Sequence, residues 1–178
     1  MKRFGNVILV VLVVVFLVSC AATPVLPPVY SYGKDEINID INADPRLNLN
    51  EGSPHTLLLC VHQLRDPNAF NRLAGDKNGI YQLLECSQFD PSVTHSKRII
   101  VQPDQRVKYT LDRAEGTKYV AIVGGYYNVR KEAVTSLFEI PVVEKSLGTF
   151  GGTRIAGPAI LDIELDLGPQ AIRVKADQ

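Results

Sequence analysis

Between residues 36 and 42 apolar and polar positions alternate without a break. Ile37, Ile39 and Ile41 fall on one side, and Asn38, Asp40 and Asn42 fall on the other. A period of two predicts a strand with one buried face. Residues 56–64 predict a second strand that is apolar on both sides. Leu57, Leu59 and Val61 share one face; Leu58, Cys60, His62 and Leu64 share the other, as in a central strand covered twice. Asp66-Pro67 then reads as a helix start, with Asp capping and Pro in the first turn. Phe70 and Leu73 form the inward side of that helix and Gly75 ends it. Residues 80–86 predict a second short helix, with Ile80, Leu83 and Leu84 inward. Strands resume at 98–101 and 106–111 around a turn at Pro103-Asp104, then at 119–127, 136–143, 161–167 and 171–175. Gly168-Pro169 breaks the last two apart, and the Gly-rich piece 148–158 reads as a mobile loop. About eight strands with closely spaced turn signals predict an all-β chain folded as an antiparallel sandwich. The helical stretch of about 66–87 is an insertion between the second and third strands.

The first residues follow another rule. Lys2 and Arg3 precede an apolar run over 7–18, and Leu17-Val18-Ser19-Cys20 closes it. A positive end, an apolar core and a small residue before the cut form a secretory signal. The run is shorter than the about 20 apolar residues that a spanning helix needs, which argues against an uncleaved anchor. Leu17, Ser19 and Cys20 make the signal specific to lipoproteins, because the thiol after the cut carries the lipid. Cys20 is therefore the expected lipidation site, and several acyl chains at ~0.8 kcal/mol per buried CH₂ give stable anchoring. Ala21 stands where an inner-membrane retention signal would place Asp, so in a cell with two membranes the outer one is the expected address. The expected domains are a signal peptide over 1–19, a lipidated Pro-rich tether over 20–34 and a sandwich over 35–178. Pro24, Pro27 and Pro28 stiffen the tether.

Without the signal the chain keeps 17 basic and 19 acidic residues, which gives nucleic-acid binding no electrostatic support. Cys60, His62, Cys86 and His95 make a Cys₂His₂ set on paper, and Cys60 and His62 share a strand face. The interval from Cys86 to His95 is looser than structural zinc spacing, so no metal is expected. With Cys20 lipidated, two cysteines remain in an exported domain. A Cys60–Cys86 disulfide would close the insertion onto the second strand and contribute ~3 kcal/mol in the chain-entropy model. Two separate buried thiols are the competing reading. No G-x-S-x-G turn is present. Gly124-Gly125 lacks the spacing of a phosphate loop and reads as a bulge or close packing. The pattern predicts neither an enzyme nor a bound cofactor other than the lipid.

The polar stretch Asp44-Pro45-Arg46-Leu47-Asn48-Leu49-Asn50-Glu51-Gly52 is longer than an ordinary hairpin loop and carries two leucines. One reading tucks Leu47 and Leu49 into the edge of the core. The other makes the loop a recognition element with leucine anchors and an arginine.

A lipobox precedes a strand ending in Asn-Ala, the Leu- and Asn-rich loop and Ser53-Pro54. A strand closing on His62-Gln63-Leu64-Arg65-Asp66, then Phe70, Ile80-Tyr81-x-Leu83, Gln102-Pro103 and Tyr119-Val120-Ala121-Ile122-Val123, follow in order. Together they resemble the outer-membrane lipoprotein of type VI secretion systems, the TssJ/VasD family. The resemblance implies a transthyretin-like β-sandwich with a small helical insertion and no catalytic role. It implies anchoring in the outer membrane, facing the periplasm, and binding of the periplasmic C-terminal domain of the IcmF-like (TssM) inner-membrane protein. By position, the partner-binding loop would use Arg46, Leu47, Asn48, Leu49 and Asn50. A small-ligand-binding lipoprotein with an apolar cavity is the alternative.

Overall fold

The computed structural model describes residues 27–146 and 154–175. The signal peptide, Cys20 and the first part of the tether lie outside the described residues.

Strand β1 (Gly33–Ala43) buries Ile37, Ile39 and Ile41 and turns Asn38, Asp40 and Asn42 outward, as its alternation requires. It lies between two partners from distant parts of the chain. Strand β4 (Arg106–Arg113) pairs with it antiparallel, placing Ile39 opposite Tyr109. Strand β9 (Leu161–Leu167) pairs with it parallel, placing Ile39 opposite Ile163. The short β10 (Ile172–Val174) completes the first sheet in the order β10-β9-β1-β4. On its outer face Asn38 donates to Asp162 and Asn42 to Asp166, both at 2.9 Å, so polar side chains tie the strands across their exposed side.

The second sheet has the order β3-β2-β5-β6. Its members are β2 (Leu57–Leu64), β3 (Val93–Val101), β5 (Tyr119–Gly124) and β6 (Thr135–Glu139). Leu57, Leu59 and Val61 face the isoleucines of β1, and these residues fill the space between the sheets with Ile99, Ile122, Ile163 and Leu165. The fold is the β-sandwich expected from the sequence, with the β1–β9 pair as a parallel element within an otherwise antiparallel arrangement.

The other face of β2 is covered by the insertion, which explains an apolar pattern on both sides. Helices α1 (Asn68–Ala74) and α2 (Lys77–Leu83) bury Phe70, Ile80 and Leu83. Cys60 of β2 is disulfide-bonded to Cys86, with Cα atoms 5.2 Å apart. Two residues on, His62 is fully buried. Its Nε2 lies 2.9 Å from the Leu83 carbonyl and its Nδ1 2.9 Å from the Ser96 hydroxyl. A carbonyl only accepts, so Nε2 carries the proton and Nδ1 accepts from the serine. Burial lowers the pKa of His62 and holds the ring neutral. The thiols are thus spent on each other and both imidazole nitrogens on hydrogen bonds, while His95 stands exposed on β3.

Several boundaries differ from the expected ones for local reasons. Helix α2 starts at Lys77, because Asp76 accepts from the Asn78 and Gly79 N–H groups and caps it. At the first helix Asp66 accepts from the Asn68 N–H, and the helix opens after Pro67. The predicted strand 136–143 is cut at Ile140-Pro141 into β6 and β7 (Val142–Ser146). Strand β8 (Arg154–Pro158) pairs with β7, so the end of the piece read as a mobile loop is a ribbon strand. Residues 147–153 lie outside the described ones. A one-turn helix, α3 (Lys131–Val134), was not expected.

Candidate partner-docking site

Eleven residues in β1 span about 35 Å, so its ends define two poles of the sandwich. The chain enters at Gly33, and the loop of residues 44–56 lies at the opposite pole. There it meets the β3–β4 turn, the β9–β10 turn and the segment after β5.

This loop is long but thoroughly bonded. The Asp44 N–H donates to Leu167 O at 2.9 Å and the Leu49 N–H to Pro169 O at 2.8 Å, both on the β9–β10 connection. The Asp104 N–H reaches Asp44 O at 3.4 Å from the β3–β4 turn. Within the loop the His55 N–H donates to Leu47 O, and Asn50 and Ser53 exchange two backbone bonds around Glu51 and Gly52, whose φ angles are 48° and 79°. Asn48 supplies the third fastening. Its Nδ2 donates to Thr56 O and its Oδ1 accepts from the Tyr127 N–H, both at 2.9 Å. Asn48 holds φ at 48°, a left-handed value that asparagine tolerates better than most residues.

The five loop residues named from the sequence therefore separate. Leu47 is fully buried in the core and Asn48 is 3% exposed, so neither presents a side chain to a partner. This corrects the expectation that both are contact residues: one is a core plug and the other a frame. Leu49 and Asn50 are half-buried. Arg46 is exposed, its Nε 3.8 Å from Asp44, whose carboxylate also accepts from the Arg46 N–H. Beside these stands Tyr127, 59% exposed and packed edge-on against His55 with ring centroids 4.8 Å apart. Tyr127, expected inside a strand over 119–127, lies beyond the end of β5 at Gly124. The Gly125 N–H still bonds Leu58 O in register, and the chain turns just after it, where the Tyr126 N–H donates to Gly124 O at 3.0 Å. The pole thus offers an arginine, an aromatic ring, half-buried Leu49 and exposed Glu51, Ser53 and Pro54 on a fixed backbone.

Cavities bear on the ligand-binding alternative. Two open grooves lie over the first sheet and its end, lined among others by Asp40, Arg106, Lys108, Glu164 and Asp166. Both are open to solvent, the first mixing charged side chains with Ile41, Val107 and Leu165, whereas the space between the sheets is packed with aliphatic side chains. Among the described residues no cluster of His, Cys, Asp and Glu could hold a metal.

Fold and site together define a transthyretin-like β-sandwich domain with an ordered loop at one pole. The family model described as "Type VI secretion lipoprotein, VasD, EvfM, TssJ" matches residues 35–168, and the chain belongs to this family of membrane-associated lipoproteins. Among solved structures it is similar to the type VI secretion lipoprotein TssJ1 of Pseudomonas aeruginosa, at 19% identity and a TM-score of 0.57, over 85% of this chain and 98% of that one. Serratia marcescens Lip, described as a membrane-bound component of the type VI secretion system, matches at 17% identity and a TM-score of 0.61, over 83% and 99%. A chain in the structure described as "T6SS protein TssM C-terminal domain (869-1107) from EAEC" matches at 12% identity and a TM-score of 0.58, over 79% and 98%. No curated protein matches the chain.

Proposed function

We propose that this chain is lipidated at Cys20, sits on the periplasmic side of the outer membrane, and docks the periplasmic C-terminal domain of an IcmF-like (TssM) inner-membrane protein through the pole built on residues 44–56. Its role is structural, an adaptor in a type VI secretion membrane complex, and no catalytic step belongs to it. One observation carries the reading: the tether enters at one pole while the long loop is held rigid at the other. A lipid anchor at Cys20 thus points the loop away from the membrane and toward a partner rooted across the periplasm. Pre-ordering supports it further, because a loop already bonded to its neighbours loses little freedom on binding. Arg46 and Tyr127 are the contact residues we assign first, since arginine and aromatic residues dominate protein interfaces. Leu49 and Asn50 flank them.

The test is binding of residues 21–178 to the periplasmic domain of the TssM-type protein from the same genome, followed by calorimetry. Arg46→Glu combined with Tyr127→Ala should weaken binding by roughly 30-fold or more, as losing about 2 kcal/mol of central contacts implies. Unchanged affinity in that variant would move the contact off this pole. No binding by the unmodified chain would sink the docking role.

A further inference from the structure

At the pole where the chain enters, a buried arginine hydrogen-bonds the end of the tether and the start of β1. The side chain of Arg113 is 2% exposed, although Lys and Arg are rarely so deep unless paired. Its Nε donates to Glu36 Oε2 at 2.9 Å, its Nη2 donates to the same oxygen, and its Nη1 donates to the Ser31 carbonyl. Around it, the Gly116 N–H donates to Tyr30 O at 2.7 Å and Lys118 lies over the Tyr30 ring. The Tyr32 hydroxyl donates to Asp112 at 2.6 Å, and the other oxygen of that carboxylate accepts from the Asp35 N–H. These two bonds hold the Asp112 carboxyl below its usual pKa. Gly33 completes the arrangement. A Cβ there would sit 2.9 Å from Arg113 Nη2 and overlap the Glu36 carboxylate, so an alanine would push that carboxylate out of its present place.

We propose that Arg113 is a clasp that makes residues 30–36 part of the rigid domain and so fixes the point and direction from which the lipid tether leaves. This rests on the lipid anchor at Cys20 proposed above. With the clasp closed, only residues 21–29 link lipid to body, a reach of at most ~31 Å. Opening it would free seven more residues, adding up to ~24 Å and letting the loop pole swing. Arg113 is a positioning residue: it touches no partner, and it sets the height and heading at which the docking pole is presented.

The experiment uses spin labels at positions 31 and 97 of the otherwise unmodified chain, with the native disulfide intact; both side chains are exposed, and position 31 lies inside the clasped segment. A single narrow distance population is expected, and it should broaden at least twofold in Gly33→Ala and in Arg113→Met. A broad distribution in the unmodified chain overturns the clasp whether or not either variant folds. So does an unchanged width in a variant whose circular dichroism is native. The lipidated chain on a supported bilayer separates the two readings. If it attaches no better than Cys20→Ser, the anchor reading fails, while the spin-label distances still judge the clasp.

Discussion

Leu47 and Arg46 are chain neighbours with opposite fates. Leu47→Ala should cost about 2–5 kcal/mol in urea unfolding, because it empties a fully buried site. Arg46→Ala should stay within about 0.5 kcal/mol, since its ion pair is solvent-exposed. Asn48→Ala leaves the Tyr127 N–H and the Thr56 carbonyl without their partner and should cost about 1–3 kcal/mol. None of this was legible locally. A leucine in a polar stretch carries no period to say which way it points, and the acceptor role of Asn48 depends on a residue 79 positions away. His62 gives a pH-dependent case. Burial lowers its pKa in the folded state below the ordinary 6.5, so the unfolded chain binds the proton more readily. Stability should be full above pH 6.5 and fall as the pH drops below it. His62→Gln should flatten that slope between pH 7 and pH 5, measured as the shift in urea midpoint.

At the scale of elements, the insertion depends on a few fastenings. Asp76 caps α2, and Asp76→Ala should cost about 1 kcal/mol and raise amide exchange in Lys77–Leu83 above all. Gly79 lets the helices touch: a Cβ there would lie 2.7 Å from the Leu73 Cα. Replacing Cys60 and Cys86 together by Ala should cost ~3 kcal/mol in the chain-entropy picture, with faster exchange spreading over α1 and α2 while β1 and β9 stay protected. The elements most legible in the sequence were those whose pattern is set by their own burial. β1 alternates because one face is wet, and β2 does not because the helices cover its second face. β8 was hidden because glycine and proline read as loop, while its pairing with β7 supplies the hydrogen bonds that its composition does not advertise.

For the molecule as a whole, the predicted sandwich and its insertion followed from counting strands, yet the order of strands did not. Alternation says which face of β1 is buried, and says nothing of whether its neighbours come from residues 106–113 or 161–167, or of the direction in which they run. The candidate site suffered from the same gap. Its loop was legible by length, but its fixed shape comes from the β3–β4 and β9–β10 turns and from Tyr127, which only the closed sandwich brings beside it. Distant pairings of this kind fold slowly, in the millisecond-to-second range of β-sandwiches. Removal of residues 161–175 should therefore do more than trim an end. It would leave Ile37, Ile39 and Ile41 on an unpaired edge, and such a chain should aggregate at concentrations where the intact one stays clear in light scattering.

The parallel pairing of β1 with β9 also sets a timetable. A chain threaded through a membrane with its N-terminus first delivers β1 almost at once, while β9 arrives more than a hundred residues later. Until then three isoleucines have at most β4 on one side and no partner strand on the other, beside the point where lipid would be attached. The domain cannot close behind the advancing chain. If the chain is exported as proposed, its first sheet stays incomplete until the last strands have passed, and escort of the unfinished chain then follows from this topology.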